Sequence, residues 1–345
     1  MRHAVHFWPQ PLSGWFWNIW YNGWLGVDLF FVLSGFLITH HLLQNWPNSN
    51  TKQYIYKYFY KRSLRILPLY FAILFIAVYR LIPYYTPDFD VTHFSILVHV
   101  IFIQDYFYYA SILVPLWSLG AEEKFYLLAP AVLYLIHKYP LHRIIFGGIV
   151  VITLIIIIRS WFILSENDNV TYSEFFWQYR APFHFSAVGI LSGSIVALMF
   201  AKFKLTILTA PQNSILRYSS IAILVTVLIF QRWIESENWQ LTSLIIALAS
   251  VCFAVLIYCS LTNTEADDGP FSKLLRFIAK LSYPLYLVHL LVLPLAMSIS
   301  KSILTNTTTV SFALFLLIYT TLSTLAAIIL HLLVEKPFLL IKARG

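Results

Sequence analysis

The sequence predicts an all-α integral membrane protein with about ten transmembrane helices in one bundle, and three observations lead there. Hydrophobic residues make up 59 % of the 345 residues and charged residues only 11 %, against roughly 25 % charged in a typical soluble chain. The mean hydropathy is +0.74, so the chain has too few charges to cover a water-facing surface of its own size. The apolar residues also fall in runs of about 20, the length a helix needs to cross a bilayer. A soluble enzyme, a nucleic-acid-binding module and a secreted disulfide scaffold are thereby excluded. Cys252 and Cys259 stand seven residues apart in one apolar run, about 10 Å along a helix and too far to bridge.

In chain order the runs place spans near 24–44, 64–82, 114–137, 144–163, 182–200, 216–234, 241–261, 281–299 and 309–333. Residues 93–110 are apolar only between Ser95 and Ile103, which is short for a crossing and reads as an interfacial or re-entrant helix. The basic residues decide the matter, because Lys and Arg accumulate on the cytoplasmic side. If 93–110 does not cross, segments 45–65, 138–143, 202–217, 262–280 and the tail from Glu335 lie inside. These hold 16 of the 23 basic residues, whereas the outer segments carry only Arg180 and Lys301. A crossing there would turn the acidic loop 165–174 to the cytoplasm.

Both termini are then cytoplasmic, in what reads as a bacterial inner membrane. Residues 13–24 (SGWFWNIWYNGW) are aromatic and polar, as in an outer interfacial belt. Pro9 and Pro11 leave the first residues barely two helical turns, so residues 1–8 read as the outer part of a truncated first span. There is no solenoid repeat and no low-complexity segment. Residues 1–345 are expected to form a single transmembrane domain with no soluble appendage.

A charged side chain at mid-membrane costs at least about 2.5–3.5 kcal/mol on insertion scales, so each needs a partner or a task. The candidates are His3, His6, Asp28, Glu122, Glu123, Lys124, His184 and His289. His3 and His6 share a helix face and read either as a general base or as interfacial histidines bonded to backbone. Glu122, Glu123 and Lys124 are consecutive, and a Glu–Lys pairing there can be purely structural. His289 follows Tyr286 by three residues, as in a hydrogen-bonded packing pair. Arg62 and Arg65, at i and i+3, point together at the cytoplasmic mouth of a span. Two guanidiniums on one face can clamp phosphates, although positive-inside topology produces such clusters too. The histidines show no HExxH-like spacing and there are no cysteine pairs, so no metal site is expected.

Several segments together resemble the membrane acyltransferase-3 family, the integral-membrane O-acyltransferases related to O-antigen acetylases. They are GVDLFFVLSGFLIT (26–39), YKRSLRILPLY (60–70), PLWSLGAEEKFYLLAP (115–130), LSYPLYLVH (281–289) and LLVEKP (332–337), in family order from about residue 3 to 338. The resemblance implies ten core spans with inside termini, in agreement with the charge distribution. It also implies transfer of an acyl group, commonly acetyl, from cytoplasmic acyl-CoA to a hydroxyl, usually of a sugar.

Aligned backwards from GVDLFF, His3 falls at the family's catalytic histidine, with His6 as the fallback. The arginine that precedes this histidine in the family would lie before residue 1. Arg62 and Arg65 match the R-x-x-R pair that contacts CoA phosphates. Trp117, Ser118 and Glu122 match W-S-L-x-x-E, and Ser282, Tyr283, Tyr286 and His289 match S-Y-x-x-Y-x-x-H. Arg180 and His184 fit the motif that opens the sixth span. Asp28, Arg180, His184, Trp117, Ser118, Tyr286 and His289 are accordingly expected at the substrate, and His3 and Glu122 at the reacting groups.

No tightly bound cofactor is expected; acyl-CoA, in the first instance acetyl-CoA, is a substrate. The other partners expected are a carbohydrate or glycolipid acceptor and membrane lipids, with no nucleic acid. The contrasting readings are a polytopic transporter or flippase, which would also use buried Asp, Glu and His, and an inactive family member lacking the first-helix arginine. Acceptor identity, acyl chain length and oligomeric state are not legible in the sequence.

Overall fold

The computed structural model describes residues 15–45, 51–166, 170–203, 209–261, 269–303 and 309–344. His3 and His6 lie outside these. Every regular element among the described residues is helical. Helix α1 (Trp15–Tyr21) runs through a 3-10 turn (Asn22–Trp24) into α2 (Leu25–Asn45). Next come α3 (Thr51–Val78), the short α4 (His93–Val100), α5 (Leu116–Ile136) and α6 (Leu141–Ser165). A π-helical segment (Phe175–Arg180) leads into α7 (Phe183–Phe203), followed by α8 (Ala210–Glu237), α9 (Trp239–Leu261) and α10 (Pro270–Ile303). Helix α11 (Thr309–Leu330) passes through a second π-helical segment (His331–Glu335) into α12 (Lys336–Arg344).

Among the described residues seven helical stretches are long and apolar enough to cross a bilayer: Asn18–Gln44, Leu141–Ser165, Phe183–Ala201, Pro211–Gln231, Trp239–Leu261, Pro270–Ile303 and Val310–Lys342. Helices α3 and α5, which the sequence also reads as crossing, have 28 and 21 residues, enough in length but with more charge. Helix α4 has eight residues, a rise of about 12 Å, far short of the hydrocarbon thickness. Residues 15–24, expected as an aromatic and polar belt, have a regular conformation. They are helical turns continuous with α2, and buried Asn18 and Asn22 donate to the carbonyls of Ile229 (2.9 Å) and Leu228 (2.9 Å) on α8.

The chain divides into two compact units. The first holds α1, α2 and the stretch from Ser118 in α5 through α9. Its centre is the crossing of α2 with α7, where glycines bring the two backbones together. A Cβ added at Gly35 would overlap the Ile190 carbonyl, and one at Gly193 would overlap the Val32 carbonyl. Val32, Phe36, Val196, Ala197, Ala254 and Tyr258 close around this seam with α9. Helix α6 instead exposes Phe146, Ile149, Leu154, Ile157 and Trp161. Such an apolar outer face is what lipid, rather than water, solvates.

The second unit holds α3 through Trp117, and α10 to α12. Here α10 packs on α11, and α12 returns onto α3. The Tyr283 hydroxyl donates to the Ile66 carbonyl at 2.9 Å, tying α10 to α3. Buried Tyr70 anchors the end of α4 by donating to the His99 carbonyl at 2.8 Å.

Candidate functional site

In the first unit the chemistry gathers at one end, where α2, α7 and α9 begin and α6 and α8 finish. Asp28 stands in the first turn of α2, where the helix dipole favours a negative charge. Arg180 closes the π-helical segment just ahead of α7; the wider turn re-aims a side chain, and π segments recur at functional sites for that reason. An Arg180 Nη2 donates to Asp28 Oδ2 at 2.9 Å, across 152 residues of sequence. The Arg180 guanidinium also lies 4.0 Å from the Trp24 ring centroid, a cation–π stack.

A third ion completes the group. Arg159 is 1 % exposed, although α6 is otherwise apolar around it, and its Nη2 donates to the Ser243 carbonyl at 2.6 Å. It lies close enough for its charge to act on both Asp28 and Arg180. Asp28 and Arg180 are 5 % and 6 % exposed, so three ions share a nearly dry site. Gln231 and Thr242, joined at 3.1 Å, are buried at the same end.

The second unit carries the basic pair. Arg62 is half-buried and Arg65 exposed on α3, and the Arg62 guanidinium lies 6.0 Å from the Tyr58 ring centroid. Because α12 packs on α3, half-buried Lys342 comes among the charges of Arg65, Arg62 and Lys61. Four cations from two helices thus share one face.

The S-Y-x-x-Y-x-x-H motif lies in the same unit. The Tyr286 hydroxyl donates to the Pro115 carbonyl at 2.9 Å, His289 Nδ1 donates to the Tyr286 carbonyl at 2.6 Å, and the two rings are 5.8 Å apart. Trp117 is buried at the start of α5.

Of the remaining expected residues, Ser118 is buried in the first unit. Glu122 is half-buried and accepts from the Tyr126 hydroxyl at 2.8 Å. Lys124 Nζ donates to the Gly120 carbonyl at 3.1 Å. His184 is exposed on α7, its ring 4.2 Å from that of Phe185. The structure therefore brings Asp28 to Arg180, and Arg62 to Arg65. No three His, Cys, Asp or Glu residues among those described are placed to hold a metal ion.

Sequence reasoning missed two buried groups. Arg159 is the lone charge in the run IIFGGIVVITLIIIIRSWF, a signal as clear as those of the residues that were singled out. His331 and Glu335 pair in the second unit, Nδ1 donating to Oε2 at 2.6 Å. Their i,i+4 spacing was visible, but not the π-helical segment that holds them.

The acyltransferase-domain family matches residues 1–332 of this chain. The peptidoglycan O-acetyltransferase OatA of Listeria monocytogenes serovar 1/2a is 33 % identical over 132 residues, covering 34 % of this chain and 21 % of that protein. The O-acetyltransferase OatA of Staphylococcus aureus (strain NCTC 8325) is 27 % identical over 292 residues, covering 78 % and 45 % respectively. The chain thus spans less than half the length of these relatives. No solved structure matches it.

Proposed function

Since the chain belongs to the acyltransferase-3 family, whose acyltransferase domain spans residues 1–332, we propose that it is a membrane O-acyltransferase. In this reading it moves an acetyl group from cytoplasmic acetyl-CoA to a hydroxyl of a cell-envelope carbohydrate. Peptidoglycan, named for the Listeria relative, is the first acceptor to try. The family match carries the reading, and the basic face on α3 and α12 supports it. Arg62 and Arg65 offer forked donors to the CoA phosphates, which an ammonium ion alone would not.

The thioester is already activated, so the chemistry needs a base for the acceptor and stabilisation of the tetrahedral oxyanion. His3 takes the hydroxyl proton as the acceptor oxygen attacks the thioester carbon. The carbon–sulfur bond then breaks, and the histidinium returns the proton to the thiolate, giving an ester and free CoA. Glu122 orients or charge-balances the histidine. The protein lies in the inner membrane with both termini cytoplasmic, the orientation that the basic loops favour.

A transporter would also bury ions such as Asp28, Arg159 and Arg180, but would not release CoA. The test is acetyl-CoA turnover by the protein in nanodiscs, read as free thiol in the presence of peptidoglycan fragments. Wild type should turn over, and His3→Ala should lose at least about a hundredfold in kcat. The Arg62→Ala/Arg65→Ala variant should raise the acetyl-CoA KM by about tenfold or more. Absence of thiol release, together with absence of CoA binding, would move the reading to transport.

A further inference from the structure

Among the described residues the Asp28–Arg159–Arg180 group does not close on itself electrostatically, since it holds two guanidiniums and one carboxylate, all buried. Glu166, which Tyr179 engages at the same end, is exposed rather than buried with the group.

The hydrogen bonding is also short. Arg180 Nη1 and Arg159 Nε are buried and have no hydrogen-bond acceptor among the described residues, although Nη2 of each residue is bonded. A buried ion left without full compensation costs several kcal/mol, and a buried N–H without an acceptor adds to that. Water could satisfy an N–H but not the missing negative charge. An oxyanion supplies both, and the guanidinium fork matches carboxylate and phosphate oxygens in particular.

We infer that Arg159 and Arg180 form a binding site for an oxyanion, a carboxylate or phosphate carried by the ligand, with Asp28 occupying part of the coordination that the ligand would complete. The site lies at the end of the unit that the charge distribution turns outward, where a carbohydrate acceptor would arrive. Placing the anion on the acceptor rests on the proposed acetyl transfer; the binding itself does not. The acceptor class is accordingly an acidic sugar or a sugar phosphate rather than a neutral glycan.

The test reads binding alone, so that its failure is separable from a failure of CoA release. Thermal unfolding of the protein in nanodiscs is followed by tryptophan fluorescence with glucuronate, glucose 1-phosphate or neutral glucose, at constant ionic strength. One or both anions should raise Tm saturably while glucose does not, and which anion succeeds identifies the carboxylate or the phosphate source. Asp28→Asn removes the competing carboxylate and should tighten anion binding by about tenfold, a gain that misfolding cannot mimic. Arg159→Gln should abolish the saturable shift. An equal response to anions and glucose in both wild type and Asp28→Asn would overturn the assignment, as would a full response in Arg159→Gln.

Discussion

Substituting Gly193 by alanine should push α2 and α7 apart, and the cost can be worked from the seam. The added methyl would overlap the Val32 carbonyl oxygen and lie 2.8 Å from the Phe36 backbone nitrogen. Both are backbone atoms that cannot rotate away, so the helices themselves must move. Overpacking of this kind costs about 1–3 kcal/mol. Alanine also gains helix propensity over glycine, roughly 0.5–1 kcal/mol, and this partly hides the steric term. Gly147→Ala on α6 isolates the propensity contribution, because nothing lies within 4 Å of its added Cβ. Gly147→Ala should therefore hold or slightly raise Tm while Gly193→Ala lowers it, the two differing by about 1–3 kcal/mol. Scanning fluorimetry in one nanodisc preparation measures both. Because Gly189 on the same seam faces the Phe31 Cβ at 3.0 Å and the Asp28 carbonyl at 3.5 Å, the crossing also sets where Asp28 meets Arg180. Equal shifts in the two variants would refute the close approach and the positioning argument built on it.

Two further outcomes concern groups in the second unit. His99 is fully buried, its Nδ1 donating to the Ser95 carbonyl at 2.7 Å while its Nε2 accepts from the Ile112 amide at 3.5 Å, and burial pushes its pKa down from 6.5 to about 4. The folded state thus prefers neutral imidazole: this stability is present above pH 6.5 and is lost as the pH falls towards 4. Between pH 7 and 4.5 the wild type should lose about 2 kcal/mol more than His99→Gln, and parallel denaturation curves for the two would contradict the assignment. Tyr286→Phe removes the hydroxyl that donates to the Pro115 carbonyl and should cost about 1 kcal/mol of stability with little change in kcat; a loss of about a hundredfold in kcat would instead place that hydroxyl on the oxyanion.

The all-helical, membrane-spanning character was legible because hydropathy is a one-dimensional signal. An apolar stretch as short as Ser95–Ile103 cannot hold a bilayer-length helix, and α4 indeed stops after eight residues. The site was legible only as separate motifs. Asp28 and Arg180 were both singled out, but nothing in their sequence neighbourhoods says that they touch across 152 residues. That contact depends on the α2–α7 crossing, and glycines such as Gly35 and Gly193 do not stand out in runs where small residues are common. Lys342 escaped for the same reason: its place beside Arg62 and Arg65 comes from α12 folding back on α3. The π-helical segment ending at Arg180 has no sequence signature at all.

The two units place buried ionisable groups differently, and the difference bears on what each is for. In the second unit His331 hydrogen-bonds Glu335, a single turn away on the same chain segment. A pair of that kind fixes a local conformation, and well-packed apolar residues of similar volume could replace it at little or no loss. In the first unit Asp28 on α2, Arg159 on α6 and Arg180 ahead of α7 are assembled from three separate elements, with one more cation than anion among the described residues. A structural role alone would be served better by an aliphatic side chain at 159, where the surrounding run is Ile, Val and Leu. The extra guanidinium makes physical sense if the group is completed by a negative charge from outside the unit. In that case this end of the first unit reads an anion rather than a neutral sugar ring.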